Sequence, residues 1–172
     1  MSLKDNNTDL LKTVVCRPIL EGDLPEVVII EKAVNAFPWS LKNFQSCLKP
    51  GYQAWVFSSE TGEIIGFTIL QKVVDELHLL NVCVRQQFQG EGLGTFILNF
   101  IIDYAKDSSF SLLVLEVRSS NSRAQKLYRK VGFNEMSVRK DYYPADSGRE
   151  DAILMGLDLL MLPFTDNMNN QL

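Results

Sequence analysis

The residues with the clearest chemical potential lie between positions 84 and 128. Gln89, Gly90, Gly92 and Gly94 form a short turn just after the apolar run Leu77–Val84, and an amphipathic segment begins at once behind them. The turn therefore joins a strand to a helix N-terminus. Backbone N–H groups converge at such a junction, the helix dipole favours negative charge, and glycine admits a ligand close to the backbone. That combination suits phosphate. The dinucleotide fingerprint G-x-G-x-x-G would begin at Gly90 and need glycine at position 95, where Thr95 stands, and the Gly-Lys-Ser/Thr of a P-loop is absent. On these residues alone, a glycine turn that merely caps a helix remains open.

Further along, Glu116 ends an apolar run in which it alternates with Leu112 and Val114. A carboxylate buried there without a partner would be costly. It is either solvated or paired with an arginine such as Arg118. Tyr128 lies on the apolar stripe of a helix, where a tyrosine is ordinarily a core residue whose hydroxyl has found a partner. Asn121 stands where a helix cap belongs. His78 is the single histidine and is flanked by Leu77 and Leu79, so a core or rim place is expected and neither a metal cluster nor a Ser-His triad can be built. Cys83 reads as a small core residue, and Glu31 and Glu76 as surface charges.

The elements that must position these groups follow from periodicity. Lys12 to Leu20 suits a first strand. Asp23 can cap a helix running to about Asn35, in which Leu24, Val27, Val28 and Glu31 set a helical period. Pro38 breaks the chain at Phe37-Pro38-Trp39, and Ser40 caps a short helix through Leu48. Strands are expected at Tyr52–Ser58, Glu63–Val73 and Leu77–Val84, the last apolar on both faces as a doubly covered strand should be. Leu93, Phe96, Ile97, Phe100, Ile101 and Tyr104 follow helical spacing in one stripe. Phe110–Val117 is a further strand, Asn121 to Val131 a helix stopped by Gly132. Phe133–Lys140 and Asp151–Leu160 are the last strands, joined by a loop that holds Tyr142, Tyr143 and Pro144. The order predicts one α/β domain with a mixed, mostly antiparallel twisted sheet and about four helices. Leu77–Val84 and Phe110–Val117 would pair in parallel through the glycine helix. Residues 1–10 and 163–172 are expected to be loose ends flanking a domain over 11–162.

Composition narrows the class. The 172 residues are 46% hydrophobic and 22% charged, ordinary for a globular protein, with a formal net charge of −4. A broad basic face for nucleic acid is not expected. Cys16, Cys47 and Cys83 have neither C-x-x-C spacing nor a disulfide pattern, which suggests reduced thiols in the cytoplasm. No metal site, signal peptide or membrane span is expected.

The pattern Gln89-x-x-Gly92-x-Gly94 resembles the Q-x-x-G-x-G loop of the GNAT acetyltransferases, and the likeness extends over nearly all of residues 12–160. Further along it is carried by Leu115-Glu116-Val117-Arg118, Asn121, and Ala124-x-x-Leu127-Tyr128-x-x-x-Gly132-Phe133. The segments Ala36-Phe37-Pro38-Trp39-Ser40, Tyr142-Tyr143-Pro144 and Gly148-Arg149-Glu150-Asp151-Ala152 are similar to those of the ribosomal-protein-alanine N-acetyltransferase subfamily (RimI type). The resemblance implies a GNAT fold and acetyl-CoA as co-substrate. Its pyrophosphate would lie on Gln89, Gly90, Glu91, Gly92, Leu93, Gly94 and Thr95, with a hydrogen bond from Asn121. The backbone of Val82, Cys83 and Val84 would meet the acetyl-pantetheine arm. Glu116 would be the general base, usually through water, and Tyr128 the acid beside the thioester sulfur. Phe37, Trp39, Tyr142 and Tyr143 would line the acceptor cleft, and the acceptor would be the N-terminus of a small-subunit ribosomal protein. An α-amine with pKa near 8 is roughly one-tenth neutral at pH 7, far more than a lysine, which fits an N-terminus. A small amine or a lysine remains the alternative acceptor. Two departures stand out: the family often has proline at position 86 and a basic residue at 90, where this chain has Gln86 and Gly90.

Overall fold

The computed structural model describes residues 10–160, so most of the expected loose ends lie outside the described residues. Seven strands form one mixed sheet: β1 (Val15–Pro18), β2 (Tyr52–Ser58), β3 (Ile64–Val73), β4 (Glu76–Val84), β5 (Leu112–Arg118), β6 (Asn134–Pro144) and β7 (Arg149–Asp158). Their spatial order is β1-β2-β3-β4-β5-β7-β6. The pair β4/β5 is parallel and every other pair antiparallel, as the sequence order predicts. Helices α1 (Leu24–Val34) and α2 (Leu41–Ser46) cover one face, and α3 (Leu93–Asp107) and α4 (Ser122–Lys130) the other.

Alternation along the strands feeds two cores. From β3, Ile65 and Leu70 join α3, while Phe67 and Ile69 point to α1 and α2. On the α3 side Leu93, Ile97, Leu98, Ile101, Ile102 and Ala105 are buried. The fully buried stripe is thus turned from the expected one, because Phe96, Phe100 and Tyr104 lie at its margin and pack edge-on against Trp55 and Phe57. Each buried Leu or Ile contributes about 1.5–3 kcal/mol, which makes α3 a rigid mount for the turn at its N-terminus. On the other face Phe44 meets Phe67 at 5.5 Å and Trp39 at 5.5 Å, which ties the residues between α1 and α2 to the sheet.

Three expectations need correction. The first strand is shorter than Lys12–Leu20, because residues 10–13 are helical. Asp23 is the N-cap residue of α1, but its carboxylate does not cap the helix; it accepts from the Leu20 N–H at 2.8 Å and pairs with Arg17 at 2.6 Å. The Tyr142–Pro144 segment is not loop: β6 runs through it, and the turn shrinks to residues 145–148.

Two irregularities shape the centre. Asn81 is paired with Ile69 and Leu79 with Leu70, so Leu80 is an extra residue in β4. Such a bulge bends a strand and raises its twist. Just there the parallel ladder ends: β4 and β5 are paired only from Glu76↔Leu112 to Leu79↔Leu115. Beyond it the carboxyl halves of the two strands part, and ligands of open α/β sheets bind where neighbouring strands diverge.

Candidate active site

Three adjoining cavities run through this opening. A space of about 600 Å3 lies against the glycine turn and is lined by Val82, Cys83, Val84, Gln89, Gly90, Gly92, Gly94, Thr95 and Asn121, with Asn35, Arg123 and Lys130. A second of about 420 Å3 lies on the other side, walled by Trp39, His78, Glu116, Arg139, Tyr142 and Tyr143. Between them a space of about 170 Å3 holds Glu31, Phe37, Trp39, Glu116, Asn121, Tyr128 and Tyr143. The middle cavity shares Asn35, Val82 and Asn121 with the first, and Trp39, Glu116 and Tyr143 with the second. A ligand at the glycines and another beside Tyr142 would therefore meet between Glu116 and Tyr128.

The glycine turn has a geometry that suits an anion. Gly90 and Gly92 have φ of +89° and +82°, and Gly92 is the N-cap of α3 with no side chain to occupy the first-turn N–H groups. Gly94 has a different reason. A Cβ there would stand 3.0 Å from Leu127 Cδ2, so glycine lets α3 and α4 approach. Gln89 does not point freely into the cavity: its Nε2 donates to the Val84 carbonyl at 3.0 Å and ties the turn to the end of β4. Leu93 belongs to the core, leaving only its backbone for a ligand, and Glu91 does not line the cavity. Arg123 Nη1 donates to Gln89 Oε1 at 3.0 Å and, with Lys130, places positive charge on the wall. Neither cation stands out in sequence, since both belong to the basic face of a helix. The residues present fit a polyphosphate group such as that of acetyl-CoA.

Helix α4 supplies two of the expected groups. The Asn121 side chain accepts from the Ala124 N–H at 3.1 Å, so it is the cap that the sequence suggests, and it also lines two cavities. Gln125, buried, donates to the carbonyls of Arg118 and Ser119 at 3.1 and 3.0 Å and fixes the turn out of β5. Tyr128 is buried against Phe133, with ring centres 5.9 Å apart. Burial first, and Tyr143 second, push its hydroxyl well above the usual tyrosine range, so it holds its proton at neutral pH. Burial likewise pushes Cys83 up to about 12, which keeps it a thiol.

Glu116 is held on the sheet opposite Leu115 and Val117, at the first step beyond the parallel pairing. It does pair with an arginine, but with Arg139 at 2.5 Å rather than Arg118. Arg118 instead pairs with Glu150 at 2.7 Å, with its guanidinium 4.8 Å from the Phe37 ring centre and 4.5 Å from that of Tyr143. It thereby clamps both expected acceptor segments together. The Tyr143 hydroxyl donates to the Glu116 carbonyl at 3.2 Å. Burial, ahead of the Glu116 charge, pushes that hydroxyl up to about 12. A hydrogen bond to the Glu116 carboxylate is the first cause that raises Tyr142.

Glu31 also departs from expectation, since it is no surface charge. It is 1% exposed. Its Oε1 accepts from the Trp39 N–H at 3.0 Å, and its Oε2 accepts from Asn35 at 2.7 Å and Asn81 at 3.3 Å. It thus joins α1, the Phe37–Trp39 segment and the β4 bulge into one wall. Its helical spacing beside Val27 and Val28 is the signal that it faces inward. Glu76 is partly exposed and bonds His78 Nε2 at 2.7 Å, which places His78 on the rim of the acceptor-side cavity. Among the described residues no group of His, Cys, Asp and Glu could hold a metal ion, and no helix is long and apolar enough to cross a membrane.

A parallel pair parts beside a glycine turn, with a carboxylate and a buried tyrosine in the gap, an arrangement that suits acyl transfer. The model of the acetyltransferase (GNAT) family matches residues 19–133, and the chain belongs to that family. The ribosomal protein bS18-alanine N-acetyltransferase of Escherichia coli strain K12 is 42% identical to this chain over 139 residues, 81% of this chain and 93% of that protein. The enzyme of the same description from Haemophilus ducreyi is 39% identical over 142 residues, 82% and 97% of the two chains. The crystal structure of the ribosomal-protein-S18-alanine N-acetyltransferase from Escherichia coli matches with a TM-score of 0.81 at 38% identity, covering 88% of this chain and 97% of that one.

Proposed function

We propose that this protein transfers an acetyl group from acetyl-CoA to the N-terminal α-amine of a small-subunit ribosomal protein, alanine being the first residue, in the cytoplasm. The acceptor is that of the bS18-alanine N-acetyltransferases, with which this chain shares about four residues in ten over most of its length. The observation that carries the chemistry is the middle cavity, where Glu116 and Tyr128 face one space reached from both ends.

The coenzyme, when bound, supplies a thioester whose carbonyl carbon the amine attacks. The turn at 89–95 and the first-turn N–H groups of α3 hold its pyrophosphate, aided by Arg123, Lys130 and Asn121. Backbone N–H groups of Val82 to Val84, on the parted half of β4, support the carbonyl oxygen as negative charge develops there. Glu116 accepts the proton that the amine loses, through a water molecule. Tyr128 returns a proton to the leaving sulfur; its high pKa matches that of an acid that must stay protonated at neutral pH. Phe37, Trp39, Tyr142 and Tyr143 form the walls that hold the acceptor's first residues. Cys83, protonated and small, forms no acyl intermediate.

The test uses two peptides with the N-terminal sequence of the organism's bS18, one with a free and one with a blocked α-amine, incubated with the protein and acetyl-CoA and read by intact mass. A gain of one acetyl group on the free peptide alone is expected. Acetyl transfer to a lysine of the blocked peptide, at a comparable rate, would overturn the α-amine assignment.

A further inference from the structure

An α-amine that approaches Glu116 meets an electrostatic obstacle. A carboxylate nearby stabilises the ammonium form, and an ammonium cannot attack a carbonyl. Glu31 adds a second carboxylate to the wall of the same middle cavity. Against these stands Arg139. Its Nη1 lies 2.5 Å from Glu116 Oε1, its guanidinium 5.5 Å from the centre of the Tyr142 ring, and it shares the acceptor-side cavity with Glu116.

Regular pairing puts Arg139 on the Glu116 face, since Ala152 of β7 pairs with both Arg118 and Arg139, and a bend in β6 then adds Tyr142. Residues three apart on a regular strand point to opposite faces, yet Arg139 and Tyr142 both line the acceptor-side cavity with Glu116. The β6/β7 register shifts between Arg139 and Tyr143, and Asp141 takes φ of +50° within that shift. A bulge re-aims side chains in just this manner. The other charged groups around Glu116 are engaged elsewhere. Arg118 on β5 pairs with Glu150 of β7, and His78 on β4 bonds to Glu76. Among the described residues, Arg139 is the cation in direct contact with the carboxylate.

We propose that Arg139 is a positioning residue for acetyl transfer: by neutralising Glu116 it keeps the bound amine from being held as an ammonium, and so sets the pH at which the acceptor becomes reactive. The inference rests on Glu116 being the proton acceptor of the proposed reaction. Arg139 is half-exposed, so its loss leaves the fold intact.

The experiment measures single-turnover acetyl transfer to the free-α-amine peptide from pH 6 to 10 (a range set by the α-amine reference value of about 8) for wild type, Arg139→Gln, Arg139→Lys and Glu116→Gln. In wild type the rate rises with pH to a plateau. In Arg139→Gln the midpoint of that rise moves up by about one pH unit or more, and the loss seen at neutral pH is largely recovered at the plateau. Arg139→Lys restores the wild-type midpoint, and the KM for acetyl-CoA is unchanged in both variants, because Arg139 does not line the coenzyme cavity. A rate lowered equally at every pH, or an unmoved midpoint, overturns the role of Arg139 while Glu116→Gln remains impaired. Wild-type turnover in Glu116→Gln overturns instead the reading on which the role depends.

Discussion

Replacing Glu116 by glutamine keeps the side chain's shape and removes its ability to accept a proton. The structural cost is small. The pair that is lost joins a half-exposed Arg139 to a Glu116 that is 22% exposed, and such a pair is worth about 1 kcal/mol or less. For a chain of this size that corresponds to a fall in Tm of roughly 2–4 °C. The chemical cost is larger. A positioned general base contributes about 10²–10⁴ in rate, a rise in the barrier of roughly 3–5 kcal/mol. Part of it returns with pH, because an α-amine of pKa near 8 goes from roughly one-tenth neutral at pH 7 to nine-tenths at pH 9. The expected result is a kcat at pH 7 reduced by at least about a hundredfold, with a partial recovery at pH 9. The KM for acetyl-CoA stays the same, because Glu116 lies outside the cavity at the glycine turn. Release of free thiol and the intact mass of the acceptor peptide report the same transfer by independent signals. A kcat within about threefold of wild type at pH 7, in a protein that melts normally, would refute the assignment of Glu116 as base.

Three further predictions concern the surrounding groups. Tyr128→Phe should lower kcat by about 10²-fold with little change in either KM, since it removes the proton donor and leaves the packing on Phe133; unchanged turnover would end the general-acid role. Arg123→Ala should raise the KM for acetyl-CoA by about tenfold at low salt, the worth of one charge-assisted hydrogen bond, with the difference shrinking as ionic strength rises. An unaltered KM would show that Arg123 does not replace the basic residue missing at position 90. Glu31→Ala removes three hydrogen bonds and leaves their donors inside the wall, a cost of about 2–3 kcal/mol and a Tm lower by roughly 5–10 °C. Thermal melting measures the second effect, and a Tm within 2 °C of wild type, about what 1 kcal/mol gives, would contradict it.

Much of this molecule is legible from short-range pattern. The junction of strand, glycine turn and helix at 84–95, the cap at Asn121, the stop at Gly132 and the order of seven strands depend on residues within a few positions of each other. Local backbone sterics and the periods of helix and strand suffice to read them. So does the placing of Glu116 at a strand end and of Tyr128 on a helix. The structure brings both, with Phe37, Trp39, Tyr142 and Tyr143, around adjoining cavities.

What the sequence by itself did not determine are relations across the sheet. The partner of Glu116 is Arg139, which reaches it across the sheet: Ala152 of β7 pairs with both Arg118 and Arg139, so Arg139 stands on the face of the sheet that carries Glu116. Glu31 meets its partner Asn81, beside the β4 bulge, across 50 positions of sequence. Arg123 meets Gln89 only because Gly94 lets α3 and α4 approach. Register, bulges and helix contacts are fixed by pairing and packing between distant segments. The residues of the chemistry can therefore be read along the chain, while the charge that surrounds each of them is decided by the tertiary fold.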